Sequence, residues 1–172
     1  ANALEDDQMV AFIRFGNDFT QNFYQIEIPL KVTSQMTAAA SPEAVWPEAN
    51  EIDLSLALLT QLKILAMNPA SGLDEDVLGI KYANDFQLDG SLAGRINPLR
   101  LGIKGNPNFG LVRTLMVGLK NRHTTSIRGE VWFNELRLAE MDNKGGMAAV
   151  ASLDAQLADF ATCLLYTSDA AD

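Results

Sequence analysis

Residues 23–33 read FYQIEIPLKVT, and this stretch decides the fold class. Tyr24, Ile26, Ile28, Leu30 and Val32 fall on one face, and Gln25, Glu27, Pro29 and Lys31 on the other. A period of two is the signature of a half-buried β-strand, because successive side chains of an extended chain point to opposite sides. Pro29 has no N–H to give to a ladder, so the expectation is an edge strand or a bulge.

The neighbouring segments extend the β reading. Met9–Phe15 is dense in apolar residues and ends at the turn signal Gly16-Asn17-Asp18. Residues 34–50, SQMTAAASPEAVWPEAN, lose all periodicity and read as a surface loop with Trp46 tucked against the body. EIDLSL (51–56) alternates Ile52, Leu54 and Leu56 against Asp53 and Ser55 and reads as a short strand. It runs into a helix of three turns on which Leu58, Leu62 and Leu65 share a face, stopped at Asn68-Pro69. Between 69 and 110, VLGIKYA and LRLGIKG are short strands and GNPNFG is a turn. LVRTLMVGLKN (111–121) is a strong strand with Leu111, Leu115, Val117 and Leu119 on one face, and EVWFNELRL (130–138) is its expected antiparallel partner. Short strands separated by turn clusters predict a mainly β fold, a jelly-roll-like β-sandwich with one short helix.

Beyond MDNKGG the pattern changes. In MAAVASLDAQLADFA (147–161) Ala149, Ala151, Leu153, Ala155 and Leu157 alternate with Val150, Ser152, Asp154, Gln156 and Ala158. A transmembrane β-strand reads this way over about 9–11 positions. An amphipathic helix fits the same residues equally well. The last ten residues, CLLYTSDAAD (163–172), fit nothing before them and read as translated sequencing-adapter sequence, a non-native tail holding the only cysteine, Cys163. The chain opens ANALEDDQ without an initiator Met, which fits an internal piece of a longer protein.

The bulk numbers exclude several function classes. A net charge of −9 argues against a nucleic-acid surface, which needs clustered Lys and Arg. No run approaches the roughly 18 apolar residues of a transmembrane helix. A single cysteine makes neither an internal disulfide nor a cysteine metal cluster.

Catalytic constellations are equally scarce. His123 is the only histidine and lies in the polar turn RHTTS, where Thr125 and Ser126 have no placed base, so it reads as a solvated loop residue. Glu5-Asp6-Asp7, Asp74-Glu75-Asp76 and Glu140 with Asp142 are acidic enough for calcium, yet none has the spacing of a calcium loop. GIKGNPNFG lacks the Lys-Ser/Thr and helix of a phosphate cradle. Phe12, Phe15, Phe19, Phe23, Tyr24, Trp46, Trp132 and Phe133 read as core, with one or two exposed rings as a minority sugar platform. Asn134 and Glu135 interrupt EVWFNELRL, with Asn134 on the Trp132 face and Glu135 beside Phe133 and Arg137; a bulge there would re-aim the pair. No catalytic, cofactor-binding or metal-ligating residue is assigned, and no cofactor is expected.

Four segments together resemble the SprA family, the giant cell-surface and gliding-motility proteins of Bacteroidota. They are FIRFGNDFTQNFYQIEIPLKVT, WPEANEIDLSL followed by QLK, NPNFGLVRTLMVGLKN, and GEVWFNELRLAEMDNKGGMAAVASLDAQLADFA. The resemblance covers nearly all of residues 4–162, and EVWFNELRL…DNKGG is its most specific part; Met147 stands where the family usually has Trp. It implies an outer-membrane, cell-surface protein, the translocon of the type 9 secretion system, in which a very large single-chain barrel conducts folded cargo. On this resemblance, residues 1–140 are an inserted β-sandwich domain and 141–146 a Gly-rich linker. Residues 147–162 are then the start of an outer-membrane barrel strand. The implied partners are the remainder of the same barrel chain, secretion accessory proteins, exported cargo and outer-membrane lipid, with no nucleic acid. A carbohydrate-binding β-sandwich of a cell-surface protein is the alternative.

Overall fold

The computed structural model describes residues 2–33, 41–83, 88, 97–137, 149–157 and 161–169, the last two ranges by their backbone course. The chain divides into two units, Ala1–Glu130 and Val131–Asp172.

The first unit is built on β2 (Met9–Gly16) and β3 (Phe23–Pro29), which pair antiparallel with Ile13 opposite Ile26. Their connecting turn is organised by Asp18. Its Oδ1 accepts the backbone N–H groups of Thr20, Gln21 and Asn22, and its Oδ2 accepts the Asn22 amide. Those donors hold the Asp18 carboxyl far below the usual carboxylate range. The same turn is docked onto the segment 105–108, where Asn22 Oδ1 takes the N–H of Asn106 at 3.0 Å and Asn17 Oδ1 that of Asn108 at 2.8 Å. Gly105 permits this approach: its φ is +62°, and a Cβ there would stand 2.1 Å from the Gln21 carbonyl oxygen.

Four more strands complete the sheet: β4 (Asp74–Glu75), β5 (Lys81–Tyr82), β6 (Arg100–Lys104) and β7 (Thr114–Asn121). The order is β4-β5-β6-β3-β2-β7 and every pairing is antiparallel. A further two-residue strand, β1 (Asn2–Ala3), pairs parallel with β8 (Ile127–Arg128) outside this sheet.

Helix α2 (Leu56–Met67) covers one face of the sheet; a single turn, α1 (Pro42–Val45), precedes it. Ser55 caps α2 by accepting the N–H of Ala57, and Asn68-Pro69 ends it. Leu58, Leu59 and Leu62 are buried against Ile26, Ile28, Leu99, Leu101 and Ile103. Lys63 ties the helix to the 105–108 segment through the Pro107 carbonyl at 2.7 Å. Tyr24, on this face, stacks on Phe109 at 4.8 Å, and its buried hydroxyl has no hydrogen-bond partner.

Several expectations change here. The strand of FYQIEIPLKVT is interior, between β2 and β6, and Pro29 is tolerated because it is the terminal residue, past the last β6 pair at Glu27–Arg100. There the side-chain amide of buried Asn97 donates to the Pro29 carbonyl and to that of Ala49. EIDLSL keeps its alternating burial but is no strand; Ile52 and Leu54 pack on the core as an extended lead-in to α2. Trp46 is exposed rather than tucked in. The described residues form the six-stranded sheet with its helix and two two-stranded pairs, β1 with β8 and β9 with β10, and a second large sheet is not among them.

In the second unit, residues 131–137 take no strand conformation, and Trp132, Phe133 and Leu136 are exposed. The alternation of EVWFNELRL sets bulk on both faces, and such a strand forms only where both faces find cover. Downstream, β9 (Ala149–Leu157) pairs antiparallel with β10 (Ala161–Asp169). Strand therefore wins over helix for 149–157, and Cys163–Asp169 of the expected tail belongs to β10. Residues 138–148, with the linker 141–146 and the acids Glu140 and Asp142, lie outside the described residues.

Truncating Leu62 to Ala removes one of the two fully enclosed leucines of α2, and chemical denaturation is expected to show a loss of about 2–5 kcal/mol. Tyr24→Phe removes an unpaired buried hydroxyl while keeping the stacked ring; its Tm is expected to equal or exceed that of the parent by a few degrees.

Candidate functional site

The face of the sheet opposite α2 carries Val10, Phe12 and Arg14 of β2 and Phe23, Gln25 and Glu27 of β3. Tyr82 of β5, Arg100 and Gly102 of β6, and Gly118 and Lys120 of β7 complete it. Burying an isolated carboxylate costs several kcal/mol, so one found inside must be paired and hydrogen-bonded. Glu27 is 5% exposed and satisfies that condition. Its Oε1 accepts from the Tyr82 hydroxyl at 2.7 Å, from the Gln25 amide at 2.5 Å, and from the Lys120 ammonium. Its Oε2 faces the Arg100 guanidinium at 3.9 Å.

Gln25 relays the network. Its amide nitrogen also donates to the Tyr82 hydroxyl at 2.9 Å, and its oxygen accepts from Arg14 Nε at 2.8 Å. Arg14 in turn donates to the Phe19 carbonyl at 2.7 Å, joining the face to the β2–β3 turn. Long cationic side chains roof these groups by lying on aromatic rings. The Arg14 guanidinium is 4.0 Å from the Phe23 ring centroid, Arg100 is 3.5 Å from that of Tyr82, and the Lys120 ammonium is 5.6 Å from that of Phe12. Two glycines give the rings room: a Cβ on Gly102 would sit 2.6 Å from the Tyr82 ring, and one on Gly118 2.5 Å from Phe12.

The electrostatics follow from this packing. Burial pushes the Glu27 carboxyl up, but hydrogen bonds from Lys120, Tyr82 and Gln25 outweigh it and hold the group below its ordinary value. Burial raises the Tyr82 hydroxyl, and the Glu27 charge raises it further. The carboxylate is thus held ionised, with three donors on Oε1 and the Arg100 charge beside Oε2, which suits it to fixing strands rather than to moving protons.

The residues singled out in the sequence are dispersed. His123 is exposed in its turn, with Nδ1 2.8 Å from Thr125 Oγ1 and its N–H on Asn121 Oδ1. Asp7 pairs with Lys31 at 2.7 Å and Asp6 accepts the N–H of Val32, so these two acids fasten the start of the chain to the segment after β3. Asp74 pairs with Arg100 at 3.2 Å, and Asp76 accepts the N–H groups of Leu78 and Ile80 in its turn. Among the described residues, no group of three or more His, Cys, Asp or Glu side chains is arranged to hold a metal ion. Asn134 and Glu135 are exposed and lie in the second unit. The alternation of FYQIEIPLKVT marked Gln25 and Glu27 as one face but gave no sign of its burial, since the partners stand 55 residues away at Tyr82 and 93 away at Lys120.

A family model, SprA_N, described as motility related/secretion protein, matches residues 1–170. No curated protein and no solved structure matches the chain.

Glu27→Gln leaves Lys120 and Arg100 without their buried counter-charge, and urea denaturation is expected to show a loss of about 2 kcal/mol. Because the Glu27 and Asp18 values are depressed on folding, their stabilisation is complete above the unfolded carboxylate range and is lost as pH falls toward the folded values. The parent is therefore expected to lose stability from about pH 5 downward, and the Gln variant to show a shallower acid slope in the same titration.

Proposed function

This chain belongs to the SprA_N family of motility-related and secretion proteins, and on that premise we propose that it is a non-catalytic structural segment of an outer-membrane protein-export channel. The observation that carries this reading is the family match, which spans residues 1–170 of a 172-residue chain. It is supported by what the charged groups of the sheet do: Glu27, Asp18 and Asp76 each spend their oxygens on holding strands and turns. On this reading residues 147–162 begin a barrel strand, in keeping with the strand conformation of β9; residues 163–172 are read as foreign from their own sequence alone, since the family match and β10 both extend into them. Among the described residues no helix is long and apolar enough to cross a membrane, a fact that concerns helices only. The partners of the segment are then the rest of the barrel chain, accessory secretion proteins, passing cargo and outer-membrane lipid.

An in-frame deletion of residues 9–121 from the chromosomal gene tests this. The expected result is loss of protein export and of surface motility, scored by the secreted proteome and by colony spreading. Undiminished export in the deletion strain overturns the reading. So does saturable sugar binding by the chain that disappears when Trp46 or Trp132 is replaced. Sequencing the coding DNA past residue 162 tests the barrel strand: further alternating segments of about ten residues support it, and an early stop codon ends it.

A further inference from the structure

The two edges of the six-stranded sheet are unlike. At one end β4 is two residues long, and both, Asp74 and Glu75, are exposed acids. A short charged strand of this kind blocks the approach of another. At the other end β7 runs for eight residues, Thr114–Asn121, with no strand on its outer side among the described residues.

Backbone parity shows what that edge offers. Leu30 donates to the Met9 carbonyl, so the odd residues of β2 bond to β3 and its even residues to β7. Arg122 donating to the Gln8 carbonyl at 2.9 Å fits the same alternation. Leu115, Val117 and Leu119 therefore direct their N–H and C=O groups outward. These residues are 51%, 41% and 39% exposed, and their side chains continue the apolar row of Ile13 and Phe15. On the other face Lys120 and Gly118 border the edge, with the Phe12 ring over Gly118.

The charge is just as uneven. Residues 109–129 hold Arg113, Lys120, Arg122 and Arg128 and no Asp or Glu, in a chain of net charge −9. A second copy of β7 would bring these cations together, whereas an acidic strand would be drawn to them.

We propose that the outer edge of β7 is a strand-addition site for an extended segment of another polypeptide that alternates apolar and acidic residues. The apolar residues of the incoming segment extend the row of Leu115, Val117 and Leu119. Its acidic residues lie on the opposite face, beside Lys120 and Arg122, while its backbone pairs with the outward groups of β7. This site is independent of the export role, and its failure would leave that reading untouched.

The test uses the 172-residue chain and two fluorescent peptides of about ten residues, the length that spans β7, one alternating Val with Glu and one Val with Lys. Saturable anisotropy binding of the Val/Glu peptide is expected at low salt, with the Val/Lys peptide weaker by about tenfold or more. The bound Val/Glu peptide is expected to slow hydrogen exchange at the amides of Leu115, Val117 and Leu119. Val117→Pro, which removes one outward donor and leaves the β2 ladder intact, is expected to weaken binding about tenfold. Arg122→Glu, an exposed change that poses no threat to the core, is expected to weaken it several-fold. The proposal is overturned by equal binding of the two peptides, by no binding, by protection confined to other amides, or by full affinity in the Arg122→Glu chain.

Discussion

The first unit depends on one buried carboxylate. Glu27 stands on an interior strand and meets groups from β5, β6 and β7, so it fastens strands on both sides of itself, including two, β5 and β7, that it does not touch by backbone. Its position is unforgiving. A slip of one residue in β3 would turn Glu27 toward the leucines of α2 and carry Ile26 and Ile28 to the side of Arg14 and Lys120. A buried charge adds little net stability once its desolvation is counted, but it penalises every alternative pairing. The apolar face supplies the driving force for folding and Glu27 selects the register.

The two faces of the sheet solve the problem of cover differently. On the α2 side a helix of twelve residues supplies leucines, and the sheet is closed as far as β3 and β6. Among the described residues, the other side is screened by side chains: the Arg14 and Arg100 guanidinium groups stand over the Phe23 and Tyr82 rings and the Lys120 ammonium near Phe12, above the amide and carboxylate.

Much of this was legible in the residues. Period-two stretches located β3 and β7, the dense apolar run before Gly16-Asn17-Asp18 coincides with β2, the spacing of Leu58, Leu62 and Leu65 located α2, and GNPNFG marked the segment on which the β2–β3 turn docks. What escaped depends on partners remote in the chain. Pro29 suggests an edge because a sequence cannot show that the neighbouring strand has already ended. Gln25 and Glu27 look like a solvated face because Tyr82 and Lys120 are far along the chain. EIDLSL alternates as a strand does, yet burial alone makes no ladder without a strand alongside. The functional identity rested on a resemblance carried by several segments, and the family match covers the same region.

The docking of the β2–β3 turn onto residues 105–108 has a kinetic side. Asn22 waits for Asn106, 84 residues on, and Asn17 for Asn108, 91 residues on. The second ladder of β2 closes only with β7, where Thr114 meets Gly16 across 98 residues. Contacts so distant require the entropy of a long loop to be surrendered before they return any energy, and chains dominated by them fold slowly. During translation, the first half of this unit is therefore exposed as a bare hairpin whose two outer edges have no neighbours until β6 and then β7 are made. Such an intermediate invites holding by a chaperone.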